Sequence, residues 1–277
     1  MWNRSPGPAH ELTERGAIAV ARPEDAAADV VITVLPDLPQ VEEVLDRADG
    51  LLAGWSRREQ SAVPPLLVVM GTVSPTGVRV LAARLRDRNV HVVDAPVSGG
   101  VDGAQRGALS IMVGGDADDF GRLQPLLAVL GSTVRHLGPT GSGQLVKACN
   151  QIVVAATVAA VSEALALARA SGLNAATIVE LMSGGLAGSE VLRQKRDKWL
   201  NEDFSPGGSA INQLKDLRIA VAAAAAVDVD VPITRRTEAL FARMVDEGLG
   251  DRDHAGLYLL LADRSRSRRQ DAGGDAA

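Results

Sequence analysis

Through the first third of the chain, short apolar runs alternate with stretches of helical periodicity. Val30-Val31-Ile32-Thr33-Val34-Leu35 predicts a buried strand stopped by Pro36; residues 66–70 and 90–94 predict a second and a third. Helical patterns around 40–48 and 76–88 lie between them. Strands separated by crossover helices imply a parallel sheet of the α/β type. A further strand pair is expected at 108–113 and 134–137. The texture changes after Gly138-Pro139-Thr140-Gly141-Ser142-Gly143. From 144 to 169 no helix breaker occurs, and 175–183, 191–200, 214–226 and 232–247 also carry helical patterns. An α/β domain is therefore expected to hand over to an all-helical one near residue 143.

Composition narrows the classes. Of 277 residues, 46% are apolar and 23% charged, and the formal net charge is −5. That suits a folded, soluble chain and provides no basic field for nucleic acid or an anionic membrane. The single cysteine, Cys149, allows no internal disulfide and fits a reducing, cytoplasmic setting. Cys149 itself is expected to be packed rather than reactive. The first eight residues contain no apolar run of the signal-peptide kind. Residues 152–170 are nearly continuous alanine, valine and leucine, but Ser162, Glu163 and Arg169 interrupt them, so a buried helix is expected rather than a membrane span. The basic tail from Arg264 is expected to be disordered. His10, His91, His136 and His254 show no metal-ligand spacing with one another or with Cys149, and no metal is assigned.

One glycine run misleads. The spacing from Gly138 to Gly143 is that of a phosphate-binding P-loop, which then requires Lys and Ser/Thr to reach phosphate and magnesium. Gln144 and Leu145 stand in those places, and the P-loop reading fails on chemistry.

Three motifs in order carry stronger information. Asp94-Ala95-Pro96-Val97-Ser98-Gly99-Gly100 is followed by Gly107-Ala108-Leu109-Ser110-Ile111-Met112-Val113-Gly114-Gly115. Glycines permit close backbone approach to an anion, and Ser98 adds a hydroxyl donor. Next, in Gly141-Ser142-Gly143-Gln144-Leu145-Val146-Lys147-Ala148-Cys149-Asn150-Gln151, residues Lys147, Asn150 and Gln151 fall at i, i+3 and i+4, on one helix face. Lysine near a helix N-terminus opposes the dipole, which argues against a purely structural choice. Last come Gly184-Gly185-Leu186-Ala187-Gly188-Ser189, Leu214-Lys215-Asp216-Leu217 and Asp246-Glu247-Gly248-Leu249-Gly250.

On these motifs the chain resembles the β-hydroxyacid dehydrogenase (3-hydroxyisobutyrate dehydrogenase-like) family, most of all its tartronate semialdehyde (2-hydroxy-3-oxopropionate) reductase branch. The resemblance implies a Rossmann-type dinucleotide-binding domain over 1–138, a 6-phosphogluconate dehydrogenase-like all-α domain over 139–263 and a tail over 264–277. It makes Lys147 the catalytic general acid–base, and Ser98, Gly99, Gly100, Asn150 and Gln151 the substrate-binding set. Asn3, Arg4, Ser5, Leu35, Pro36, Thr72 and Lys215 fall on the cofactor side. Arginine near the ribose favours NADP, with NAD as the alternative. A small carboxylate substrate and a homodimer or homotetramer built through the helical domain are also implied. There are departures: Gly208 stands where relatives place phenylalanine, Asp253-His254-Ala255-Gly256 replaces Asp-x-Ser-Ala, and Val69-Met70-Gly71-Thr72 replaces Asp-Met-Ser-Thr/Ser.

No window contains the G-x-G-x-x-G turn expected after the first strand of such a domain. Met1-Trp2-Asn3-Arg4-Ser5 resembles the exit of its second strand. The expectation is therefore an incomplete Rossmann domain lacking its first βα unit, roughly 30 residues by the usual size of that unit. A 3-hydroxyisobutyrate dehydrogenase activity, or a non-catalytic binding relative, stands as the alternative.

Overall fold

The structure is a computed structural model describing residues 1–58 and 63–262. The expected tail from 264 lies outside the described residues. The chain divides into two compact units, Met1–Lys147 and Ala148–Ala277.

The first unit contains α1 (Pro6–Thr13), β1 (Val30–Thr33), α2 (Leu38–Asp46), α3 (Leu51–Arg57), β2 (Leu66–Val69), α4 (Pro75–Arg86) and β3 (His91–Asp94). It continues with β4 (Val97–Ser98), α5 (Gly100–Gln105), β5 (Ser110–Val113), α6 (Ala117–Leu130) and β6 (Thr133–His136), and includes the first residues of α7 (Ser142–Ala170). Helix starts are written locally. Ser74 Oγ accepts from Gly77 N at 3.1 Å, and Pro75 preorganises the first turn of α4. Asp37 opens α2 in the same way, accepting from Leu38 N at 2.8 Å.

Strands β1, β2 and β3 pair in parallel in that order, with Val31 opposite Leu67 and Leu67 opposite Val92. β2 is buried on both faces, as an unbroken apolar run predicts. Leu67 and Val69 pack with Val41 and Leu45 of α2 and Val78, Leu81 and Leu85 of α4. Leu66 and Val68 join Ile111, Leu123 and Leu127 in a second core.

The expected strand pair forms, but in a separate mixed sheet ordered β4-β5-β6, not as a continuation of one parallel sheet. β5 and β6 are parallel, and β4 runs antiparallel to β5 through Val97–Ile111 and Ser98–Ser110. The cause lies at the end of β3. Ala95 N still donates to Val69 O at 2.8 Å, but Pro96 has no N–H to continue the ladder, and the chain turns towards β5. Asp94 sits at the join, exchanging backbone hydrogen bonds of 3.0 and 2.8 Å with Gly114.

The second unit contains the rest of α7, with α8 (Ala175–Gly184), α9 (Glu190–Asn201), α10 (Ala210–Ala225) and α11 (Pro232–Met244). Its core gathers Val158, Leu165, Leu192, Trp199, Leu217 and Phe241, and Trp199 Nε1 donates to Ala255 O at 3.1 Å. Among the described residues α7 alone is long and apolar enough to cross a membrane, and half of its most apolar window is buried within the fold. α10 begins four residues before the position its periodicity suggests, because Ala210 N and Ile211 N find Arg252 O and Gly250 O at 2.9 Å each. α11 stops at Met244 and unwinds through a π turn to Gly248, whose φ is +78°.

Candidate active site

The carboxyl ends of β1 and β2 lie side by side, where open α/β sheets bind nucleotides. Leu35 and Pro36 follow β1, and Gly71 and Thr72 follow β2. The two loops touch: a side chain at Gly71 would collide with the Leu35 carbonyl oxygen. Leu35 and Thr72 are half-buried and Pro36 is exposed. Asn3, Arg4 and Ser5 are exposed at the entry to α1, and Asn3 Nδ2 donates to Ser5 O at 2.7 Å.

At the other strand exit, Ser98 ends β4 and Gly99 and Gly100 open α5. Both glycines adopt left-handed backbone conformations, with φ of +133° and +67°, and a Cβ on Gly99 would stand 3.2 Å from Leu109 Cδ2. Ser98 is half-buried and Gly100 exposed, so their hydroxyl and backbone N–H groups are available to a small anion.

Between these loops the glycine run that imitates a P-loop has a different purpose. Asp94, fully buried, aims its carboxylate at the start of α7. Oδ1 accepts from Gly141 N at 2.6 Å and Oδ2 from Gln144 N at 2.8 Å. Glycine is needed on every side of that carboxylate. A Cβ at Gly114 would lie 2.6 Å from Asp94 Oδ1, and one at Gly141 2.7 Å from Arg79 Nε. One at Gly143 would collide with Met112 O and lie 2.9 Å from Asp94 Oδ2. Burial pushes the Asp94 carboxyl up to about 6, against the lowering effect of the backbone N–H groups of Gly141, Gln144 and Gly143.

The carboxamide of Gln144, wholly buried, reaches the loop after β2. Its Oε1 accepts from Val73 N at 3.0 Å and its Nε2 donates to Gly71 O at 2.9 Å. Lys147 follows one turn later and is itself buried, with 8% exposure. Sequence reading noticed Gln144 only as the residue that disqualifies a P-loop, and Asp94 only as the start of a motif.

In the second unit, Asn150 Nδ2 donates to Gln151 Oε1 at 3.0 Å, and Gln151 Nε2 to Asp216 Oδ2 at 2.6 Å. Lys215 Nζ lies 2.9 Å from Asp216 Oδ1. Asn150, Gln151 and the Lys215–Asp216 ion pair are thus linked through the Asp216 carboxylate, and Asp216 is buried, not part of a solvated surface pair. His254 Nδ1 meets Gln213 Oε1 at 3.1 Å, while His254 Nε2 and Gln213 Nε2 are buried with no hydrogen-bond partner among the described residues. Burial holds His254 down to about 4, with the charge of Lys195 adding to the effect. Cys149 corrects the expectation: it is exposed, because its position two residues from Lys147 turns it to the opposite helix face. His91, Asp116 and Asp119 come within 4.8 Å of one another, a grouping the sequence spacing did not reveal. Asp119 already receives Arg122 at 3.1 Å and His91 at 2.7 Å, and no metal is assigned.

Comparison with known proteins places this arrangement. Residues 1–138 match the family described as the NAD binding domain of 6-phosphogluconate dehydrogenase. Residues 141–261 match the NAD-binding domain of NADP-dependent 3-hydroxyisobutyrate dehydrogenase. The 2-hydroxy-3-oxopropionate reductase of Escherichia coli (strain K12) is 36% identical over 255 residues, covering 91% of this chain and 85% of that protein. The chain belongs to the 3-hydroxyisobutyrate dehydrogenase-like family of NAD(P)-dependent β-hydroxyacid dehydrogenases. The NAD-dependent L-serine dehydrogenase of Pseudomonas aeruginosa is 35% identical, over 90% of this chain and 85% of that one. A solved Mycobacterium tuberculosis 3-hydroxyisobutyrate dehydrogenase with L-serine is 29% identical with a TM-score of 0.78, covering 94% of this chain and 89% of that chain. These comparisons give no support to a missing βα unit.

Proposed function

We propose that this family member reduces a small β-aldehyde acid, 2-hydroxy-3-oxopropionate, to glycerate with NADPH, using Lys147 as the general acid–base. The observation that carries the reading is the burial of Lys147 on the first turns of a helix whose start is fixed by Asp94 and Gln144. The 36% identity to a 2-hydroxy-3-oxopropionate reductase supports the choice of substrate.

The touching loops after β1 and β2 fit the nicotinamide end of the cofactor: Gly71 brings the backbones together, and Thr72 offers a hydroxyl. Leu35, Pro36 and Thr72 would hold that end, with Asn3, Arg4 and Ser5 towards the ribose; Lys215 is a further cofactor residue of the same reading. The exposed guanidinium of Arg4 suits a 2′-phosphate, which favours NADP over NAD. When bound, the reduced nicotinamide supplies a hydride to the aldehyde carbon. Lys147 donates a proton to the alkoxide oxygen as it forms. Ser98 Oγ and the N–H groups of Gly99 and Gly100 hold the substrate carboxylate and so fix the carbonyl for attack. Asp216, through Gln151, orients Asn150. Assembly into a homodimer or homotetramer through the helical unit is part of the same reading, supported by exposed Val153, Leu167 and Leu181.

The experiment is NADPH oxidation by the purified chain with 2-hydroxy-3-oxopropionate or the 3-hydroxyisobutyrate aldehyde, and, in the opposite direction, NADP+ or NAD+ reduction with L-serine. Preference for the first, abolished by Lys147→Ala, supports the reading. Preference for either of the others moves the chain to a different substrate branch.

A further inference from the structure

The geometry points to Gln144 as a positioning residue that ties the cofactor-side loop 71–73 to the helical turn carrying Lys147. The inference rests on the reductase reading given above and extends it to a residue that touches neither substrate nor cofactor. Gln144 is wholly buried, and its carboxamide uses both ends on a single loop: Oε1 takes the N–H of Val73 at 3.0 Å, and Nε2 gives to the carbonyl of Gly71 at 2.9 Å. The peptide groups on both sides of Thr72 are therefore held by one side chain. The backbone N–H of Gln144 is in turn held by Asp94 Oδ2 at 2.8 Å, so the clamp is anchored to the end of β3.

A glutamine with both carboxamide atoms engaged has a single orientation, because the amide cannot flip without opposing donor to donor and acceptor to acceptor. Lys147 lies three residues further on, on the same helix face. Displacement of loop 71–73 thus moves the turn that presents the lysine, and the hydroxyl of Thr72 and the ammonium of Lys147 keep one spacing. Such a device acts on the reacting geometry, where a misplacement of about 1 Å costs on the order of 100-fold.

The test uses Gln144→Met, which keeps side-chain length and apolar volume but leaves Val73 N–H and Gly71 C=O without their partner. Gln144→Glu keeps the acceptor for Val73 N–H but replaces the donor to Gly71 C=O with a carboxylate oxygen and its charge. Turnover is normalised to folded protein, and amide hydrogen exchange is followed at Val73 and across 144–147. A positioning role predicts that Gln144→Met loses kcat by at least about tenfold while the aldehyde KM stays within about threefold. Exchange should rise at Val73 and at 144–147 together, and Gln144→Glu should restore Val73 protection and part of kcat. Unchanged kcat per folded molecule, or a loss that merely follows the folded fraction, overturns the assignment. If the wild type shows no lysine-dependent turnover, the reductase reading fails. The clamp is then decided by exchange alone, and unchanged protection in both segments of Gln144→Met overturns it.

Discussion

Replacing Asp94 with asparagine separates two opposing effects at the start of α7. The carboxylate satisfies two of the orphan N–H groups of the helix, at Gly141 and Gln144, and hydrogen bonds to a charged group are worth about 1.5–3 kcal/mol each. Its complete burial nonetheless raises the carboxyl from 3.8 to about 6. That displacement means the charged form costs the fold about 3 kcal/mol relative to the protonated form. The folded chain keeps this proton to higher pH than the unfolded chain does. Between about pH 4 and 6 folding therefore takes up a proton, and the contribution of Asp94 to stability falls as pH rises through that window. Asparagine carries no such dependence. It presents one oxygen and one NH2, leaving a buried N–H unsatisfied at a cost of about 1–3 kcal/mol at every pH. Asp94→Asn should thus be most destabilising near pH 4 and least so at pH 7, with the gap from wild type narrowing by about 3 kcal/mol. Urea unfolding at half-unit pH intervals, with exchange at the Gly141 and Gln144 amides as a local probe, measures it. A gap that widens as pH rises would show that the charged cap is the favoured form and would refute the reasoning.

The second unit should show the opposite slope. His254 is held neutral to about 4, so its contribution is complete above pH 6.5 and is lost as pH falls towards 4; the deficit of His254→Gln should grow with rising pH in the same titration. Gly143→Ala pushes a methyl into Met112 O and the Asp94 carboxylate and should cost the first unit about 3–5 kcal/mol by thermal unfolding, through overpacking and loss of the cap. Asp216→Asn loses the charged partner of Gln151 and should lower kcat by about tenfold with little change in melting temperature, read by steady-state kinetics beside calorimetry. Leu167→Glu, on an exposed apolar position of α7, should shift the sedimentation coefficient towards that of the monomer if the helical unit forms the assembly interface.

The elements most legible in the sequence were those with strong period or strong punctuation. The unbroken apolar run at 66–70 could only be a two-sided strand, and the uninterrupted stretch after residue 143 became the long helix α7. What was illegible depended on contacts remote in sequence. α10 starts early because residues 250 and 252 supply its first acceptors, and β4 turns antiparallel because Pro96 ends one ladder just where β5 is within reach. The same applies to the site. Lys147, Asn150 and Gln151 shared a face by spacing alone. The contacts that fix them lie outside any local window: Gln144 binds Asp94 and loop 71–73 from 50 and more positions away, and Asp216 is 65 positions from Gln151. The one available signal was a carboxylate closing an apolar strand in a glycine-rich setting, a buried charge in need of donors.

Reduction of 2-hydroxy-3-oxopropionate by this chain with NADPH, compared with that by Lys147→Ala and Lys147→Arg of equal folded fraction, tests the central claim most directly. The account predicts turnover in the wild type, a loss of at least about 100-fold in kcat for Lys147→Ala, and NADPH affinity unchanged by fluorescence titration. Turnover undiminished in Lys147→Ala would contradict it.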